Sequence, residues 1–218
     1  MKTKAAIYLN GSYPPDHLYF YIRECKNLAD NSFIIVTDGG LQFFINNNLS
    51  PDLILGDWDS TDIRLIKSFP KALTISMPGD GKALTDGEMA LDWCMNNNIT
   101  DIVIYGGIDT TFETDQLLGN IFMMFAYKNK FSSTRMRDYC QEIIPLENET
   151  FSSHGRPGEM LSVVPVSDEI KYEAKGLKYN PKGQTFKFGQ TMPLRNELAA
   201  SRFSVKVTGR AVLIRHFY

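Results

Sequence analysis

Asp57 and Asp59 lie two residues apart in the run Gly56-Asp57-Trp58-Asp59-Ser60, directly after the apolar triplet Leu53-Ile54-Leu55. In an extended chain, residues i and i+2 project to the same side, so both carboxylates can converge on one divalent cation. A hard cation such as Mg²⁺ takes oxygen ligands and fills the rest of its shell with water and a substrate's phosphates. That combination belongs to phosphoryl or pyrophosphoryl transfer. The same residues also read as a polar loop, with Ser60 as the N-cap of a segment over residues 61–69, Ser being a favoured cap.

Three further polar clusters share this setting. Thr37-Asp38-Gly39-Gly40 offers glycines that allow close backbone approach to a ligand and a helix start that favours a phosphate, or equally an ordinary tight turn. The run from Asp80 to Glu88 combines a cation, carboxylates and glycines ahead of a helical pattern. There Lys82 can meet a phosphate as a point charge and Asp86 can help hold a metal, while Thr85 and Glu88 have the spacing of a capping box. After Gly106-Gly107, helical spacing puts Gln116 and Asn120 on one face, and Asp115 reads either as part of this cluster or as a simple helix start. His17, His154 and His216 are scattered and pair with no acid or Cys at triad or ligand spacing. The chain lacks a Gly-x-x-x-x-Gly-Lys-Ser/Thr loop, a Gly-x-Gly-x-x-Gly fingerprint and a Gly-x-Ser-x-Gly elbow, so a nucleotide bound here would not use those cradles.

The elements that must position these clusters follow from pattern and composition. In 218 residues, 43% apolar, there is enough material for one large or two small domains with a true core. Lys plus Arg total 23 against 25 Asp plus Glu, and a net charge of −2 gives no electrostatic case for nucleic acid or an anionic membrane. Three widely spaced cysteines, Cys25, Cys94 and Cys140, suggest neither a disulfide framework nor a zinc site, and fit a reducing cytosol. The apolar run at residues 5–9 is too short for a signal-peptide core and nothing later reaches membrane length, so the expected location is cytoplasmic.

Up to about residue 130, apolar runs at residues 5–9, 33–37, 53–55, 73–77 and 102–105 alternate with helical patterns at 15–29, 40–46 and 86–96. This predicts a mainly parallel, Rossmann-like α/β domain with Asp38, Asp57 and Gly106 at strand ends. Ligands of such sheets bind outside the carboxyl ends of the strands. The Asn triplets at 46–48 and 96–98 read as helix stops, since Asn tolerates the left-handed conformation. Later segments are short and alternating, with turn signals at Gly155-Arg156-Pro157-Gly158, Pro181-Lys182-Gly183 and Thr208-Gly209-Arg210, as in an all-β sandwich. The expected domains are therefore 1–132 and 133–218.

In this order, the clusters resemble those of the thiamine pyrophosphokinase family. Pro51-Asp52-Leu53-Ile54-Leu55-Gly56-Asp57-Trp58-Asp59-Ser60 is similar to its Pro-Asp-(apolar)-Gly-Asp-Phe-Asp-Ser segment, with Asp38-Gly39-Gly40 ahead of it at the right distance. Thr85-Asp86 resembles the next motif, and Asp115-Gln116 with Asn120 the one after. Gly176-Leu177-Lys178-Tyr179 and Asn196-Glu197 resemble segments of its tail. The resemblance implies transfer of a pyrophosphoryl group from ATP to thiamine, with Mg²⁺ held by Asp57, Asp59 and Asp86 and with Lys82 in the catalytic set. It further implies substrate contacts at Asp38, Gly39, Gly40, Ser60, Thr85, Asp115, Gln116, Asn120 and Asn196, and a homodimer with thiamine sites at the subunit interface. Three positions depart from the family pattern: Ala83 stands where an acid is usual, Glu113 where Arg is usual, and Arg195 where Ser is usual. They keep open another acceptor, such as a hydroxymethyl pterin, or a relative that binds without turnover.

Overall fold

Apolar runs this short bury both faces only if helices cover the sheet on each side, and the chain folds accordingly. The computed structural model describes residues 2–58, 62–76, 84–108 and 113–217, and the chain divides into a unit Met1–Tyr139 and a unit Cys140–Tyr218. The first holds strands β1 (Lys4–Tyr8), β2 (Ser32–Thr37), β3 (Leu53–Gly56), β4 (Leu73–Ser76), β5 (Asp101–Tyr105) and β6 (Ser133–Arg137). Between them run helices α1 (Leu18–Leu28), α2 (Leu41–Asn46), α3 (Asp86–Asn96) and α4 (Thr114–Ala126). The described strands of this unit pair in parallel, in the order β6-β5-β1-β2-β3-β4.

Register decides which residues meet which helices. Ala6 and Tyr8 stand beside Ile34 and Val36 on one flank and Val103 and Tyr105 on the other. This face packs under Tyr21 and Cys25 of α1 and Leu41 and Phe44 of α2. The opposite face carries Phe33, whose ring meets Trp93 of α3 edge-on at 5.3 Å. Successive crossovers carry the chain from β1 out to β4 and then back to place β5 on β1's other side. The strand order therefore reverses between β1 and β5, which is where open parallel sheets form a ligand crevice.

Local signals account for most boundaries. Asn48 and Asn98 adopt left-handed φ of 50° and 59° just past α2 and α3, the stops expected of the two Asn triplets. Pro15 opens a 3-10 turn, Pro15–His17, rather than α1 itself; its fixed φ suits a first turn of either kind. Ser60, read as a cap, lies outside the described residues; Asp62 caps the 3-10 turn Ile63–Ser68, its Oδ1 accepting Arg64 N at 2.9 Å. An ionised carboxylate is as good a cap as a hydroxyl, and the salt bridge to Arg64 holds the Asp62 carboxyl down at about 2. Ser133–Arg137, expected to open the second domain, pairs parallel with β5 and belongs to the first unit. Only its Thr134 and Met136 are buried, so its alternating pattern looks antiparallel in sequence.

The second unit comprises β7 (Gln141–His154), β8 (Met160–Pro165), β9 (Glu169–Lys175), β10 (Lys182–Lys187), β11 (Asn196–Glu197) and β12 (Arg202–His216). The pairings among its described strands are antiparallel. Strict alternation in β9 buries Ile170, Tyr172 and Ala174 and exposes the charged residues between them. β12 pairs with β7 along its length; on its other side it pairs with β9 over Ser204–Thr208 and β8 over Ala211–His216. A register shift between Val207 and Arg210 separates the two halves, since a bulge bends and twists a strand. Apolar residues of β7, β8, β9 and β12 close into one core.

Candidate active site at the strand ends

A cleft of about 810 Å³ opens where the sheet order reverses. Its floor is formed by residues at strand ends: Leu9 and Asn10 after β1, Thr37 at the end of β2 and Gly106 after β5. One wall is the start of α3, with Thr85, Asp86 and Gly87; the facing wall is α4, with Gln116, Asn120 and Met123. The volume lies in the range of small-molecule and cofactor sites.

Close backbone approach holds the acidic loops together. A Cβ on Gly39 would lie 2.0 Å from the Asn10 side chain, and one on Gly56 would lie 2.7 Å from Asp38 Cβ. Gly56 must therefore be glycine for β2 and β3 to end side by side, whereas a side chain at Gly39 would require the exposed Asn10 side chain to move. Asp38 is fully buried and Asp57 half-buried, on consecutive strand ends of the sheet. Trp58 follows with φ of 65°, a genuine outlier for so bulky a residue, and its indole Nε1 donates to Ser76 Oγ at 2.7 Å. That bond anchors the turn carrying Asp57 to the end of β4. Tyr13 donates to Leu9 O at 2.7 Å and so ties down the loop after β1. Burial pushes its ionisation well above the ordinary phenol range, so it stays a donor.

Thr85 and Glu88 form a reciprocal capping box: Glu88 N donates to Thr85 Oγ1 at 3.3 Å and Thr85 N to Glu88 Oε2 at 2.7 Å. Replacing Thr85 with Ala should cost about 1 kcal/mol, read as a lowered urea midpoint, with Ser near neutral. An unchanged midpoint would remove the capping role. Asp86 occupies the first helical position and lines the cleft. Gln116 and Asn120 do share a cleft-facing side of α4, and Asn120 Nδ2 donates to Gly107 O at 3.1 Å. Asp115 is exposed in the first turn, its Oδ1 accepting Gln116 N at 3.0 Å.

Asp59, Ser60 and Lys82 lie outside the described residues, as does Ala83. Asn196 belongs to the second unit, where its Oδ1 accepts Tyr179 N at 3.1 Å and its Nδ2 donates to Tyr179 O at 2.6 Å. It braces the Gly176-to-Tyr179 loop, with Lys178 paired to Glu197 at 2.6 Å. Arg195, with φ of 55°, donates its backbone N to Ser162 Oγ at 2.9 Å. Sequence reasoning missed Asn10, although a polar residue directly after a buried strand is the signal that located the other clusters. Glu113 lines the cleft and brings an acidic side chain to its wall.

Among the described residues, no group of three or more His, Cys, Asp or Glu is arranged to hold a metal ion. Asp38 and Asp57 follow the neighbouring strands β2 and β3, and Asp86 lines the cleft, each with a carboxylate, the ligand type that hard cations take.

Parallel strands, crossover helices and a cleft at the switch point define an α/β protein with a cleft at its strand ends. The model of the thiamin pyrophosphokinase catalytic domain matches residues 25–136, just over half of the 218, and the chain belongs to that family. Its fold is similar to that of thiamine pyrophosphokinase from Bacillus subtilis, with 22% identity, a TM-score of 0.80 and 99% of each chain covered. The enzyme from Geobacillus thermodenitrificans gives 20% and 0.79, covering 99% of this chain and 97% of that one. The one from Candida albicans gives 15% and 0.76, covering 100% and 90%. No curated protein sequence matches the chain. No described helix is long and apolar enough to cross a membrane.

Proposed function

We propose that the chain is a thiamine diphosphokinase, moving the pyrophosphoryl group of ATP to the hydroxyl of thiamine and releasing AMP. The observation that carries this reading is the cleft at the β1/β5 switch point, lined by the ends of β1 and β2 and by the start of α3 with Asp86, in a member of this family. The thiamine oxygen bonds to the β-phosphorus while the bond from that phosphorus to the oxygen bridging it to the α-phosphate breaks, so AMP leaves with the bridging oxygen. The hydroxyl proton passes to a carboxylate or to water.

Asp57, Asp59 and Asp86 would hold Mg²⁺, which supplies charge neutralisation on the triphosphate. The protein's contribution is positioning and charge stabilisation. Gly39 and Gly40 bring backbone close to the phosphates, the start of α3 presents its amides, and Asn10, Gln116 and Asn120 orient the nucleotide. Lys82 would meet a phosphate as a point charge. The same reading makes the working enzyme a cytoplasmic homodimer, with Asn196 and its loop serving thiamine recognition.

Mass-spectrometric analysis of the purified chain with ATP, Mg²⁺ and thiamine should show thiamine diphosphate and AMP forming together, and neither product without acceptor. A folded sample giving neither product would overturn the reading. Product on a hydroxymethyl pterin and none on thiamine would replace the acceptor.

A further inference from the structure

Gly119 lies in the middle of α4, where glycine is a much poorer helix former than alanine. Helix-interior glycine is usually explained by a neighbour too close for a Cβ, yet a Cβ built here meets no atom within 4 Å. Packing among the described residues therefore gives no reason for its absence. Gly119 does line the cleft, and so do Phe122, one turn further on, and Ala126 after it. Phe122 is 58% exposed, a large apolar side chain left uncovered at the mouth of a largely polar site. A ring with a small residue on either side along the helix is a flat apolar surface with clear space in front of it.

Resting on the proposed function, we infer that Gly119 and Phe122 form a shelf for the base of the nucleotide donor. The floor and the start of α3 suit the triphosphate, and a flat heteroaromatic base directed away from them meets Phe122, the exposed aromatic side chain of the described cleft lining. Phe122 supplies the stacking surface and Gly119 the clearance. Stacking on an aromatic side chain tolerates different bases, so the shelf provides affinity for a nucleotide over a bare polyphosphate rather than selection among bases.

The test is equilibrium binding of ATP, inorganic tripolyphosphate and thiamine, each measured by calorimetry with the unaltered chain, Phe122→Ala, Phe122→Tyr and Gly119→Leu. Loss of stacking in Phe122→Ala should weaken ATP about tenfold, with tripolyphosphate and thiamine unchanged and Phe122→Tyr close to the unaltered chain. Gly119→Leu should likewise weaken ATP while raising the thermal midpoint, since leucine is the better helix former. Opposite movement of stability and affinity is a signature that a merely structural glycine would not give. Equal ATP affinity in all four proteins would overturn the shelf and leave the proposed function standing. Weakened thiamine with unchanged ATP would overturn it by assigning the surface to the acceptor. An unaltered, folded chain that binds no ATP would remove the site reading and the shelf together.

Discussion

Asp57→Asn is expected to lower Mg²⁺-dependent turnover about a thousandfold while leaving the fold intact. Each tenfold is about 1.4 kcal/mol of barrier, so the change asks one carboxylate to account for about 4 kcal/mol. That is the upper range seen when a single preorganised group is removed from a transition-state charge network. Asn preserves the size and one acceptor oxygen of Asp but removes the charge that a hard cation needs. The half-buried position of Asp57 after β3 makes the substitution mild for folding, so circular dichroism and the urea midpoint should hardly change. The double variant Asp57→Asn/Asp59→Asn should be inactive at any practical Mg²⁺ concentration. Turnover of Asp57→Asn within threefold of the unaltered chain, with the same Mg²⁺ dependence, would refute the metal role.

The second large effect concerns stability. Arg215 on β12 is buried, with Nη1 3.1 Å from Glu142 Oε2 and Nη2 3.7 Å from Glu159 Oε2. Nη2 also donates to His154 O at 2.9 Å, and the guanidinium stands over the rings of Phe203 and Phe217 at 5.1 Å each. Both glutamates are buried. Arg215→Leu would take the shared cation from two buried carboxylates, of which Glu159 keeps Arg156 Nε at 3.3 Å, and would remove a donor from the His154 carbonyl. Breaking a buried pair in this way costs about 3–5 kcal/mol, against a total stability of about 5–15 kcal/mol for ordinary domains. Urea denaturation should show the loss. Arg215→Leu combined with Glu142→Gln should recover part of it, because one of the stranded charges is gone. Arg215→Lys should fall between, since an ammonium keeps the charge but lacks the planar fork that reaches several acceptors. A loss below 1 kcal/mol in Arg215→Leu would show that the cluster contributes little.

Several parts of this molecule were legible because they depend on neighbours in sequence. The Thr85/Glu88 capping box, the Asn48 and Asn98 helix stops and the strand ends at Asp38, Asp57 and Gly106 are set by interactions within a few residues. Ser133–Arg137 reads in sequence like part of the second unit because a strand buried on one face alternates alike in a parallel or an antiparallel sheet.

By itself, the sequence determined the alternation of elements, the placement of acidic and glycine clusters at strand ends, and family membership. Those are properties of residue type and spacing. Only the tertiary structure decided that β5 returns beside β1 and opens the cleft there, that Gly56 abuts Asp38 and Gly39 abuts Asn10, and that Gly119 and Phe122 stand uncovered on its wall. The physical reason is long-range strand pairing: the register between β1, β2 and β5 depends on residues about thirty to a hundred positions apart, whose contacts no local pattern encodes.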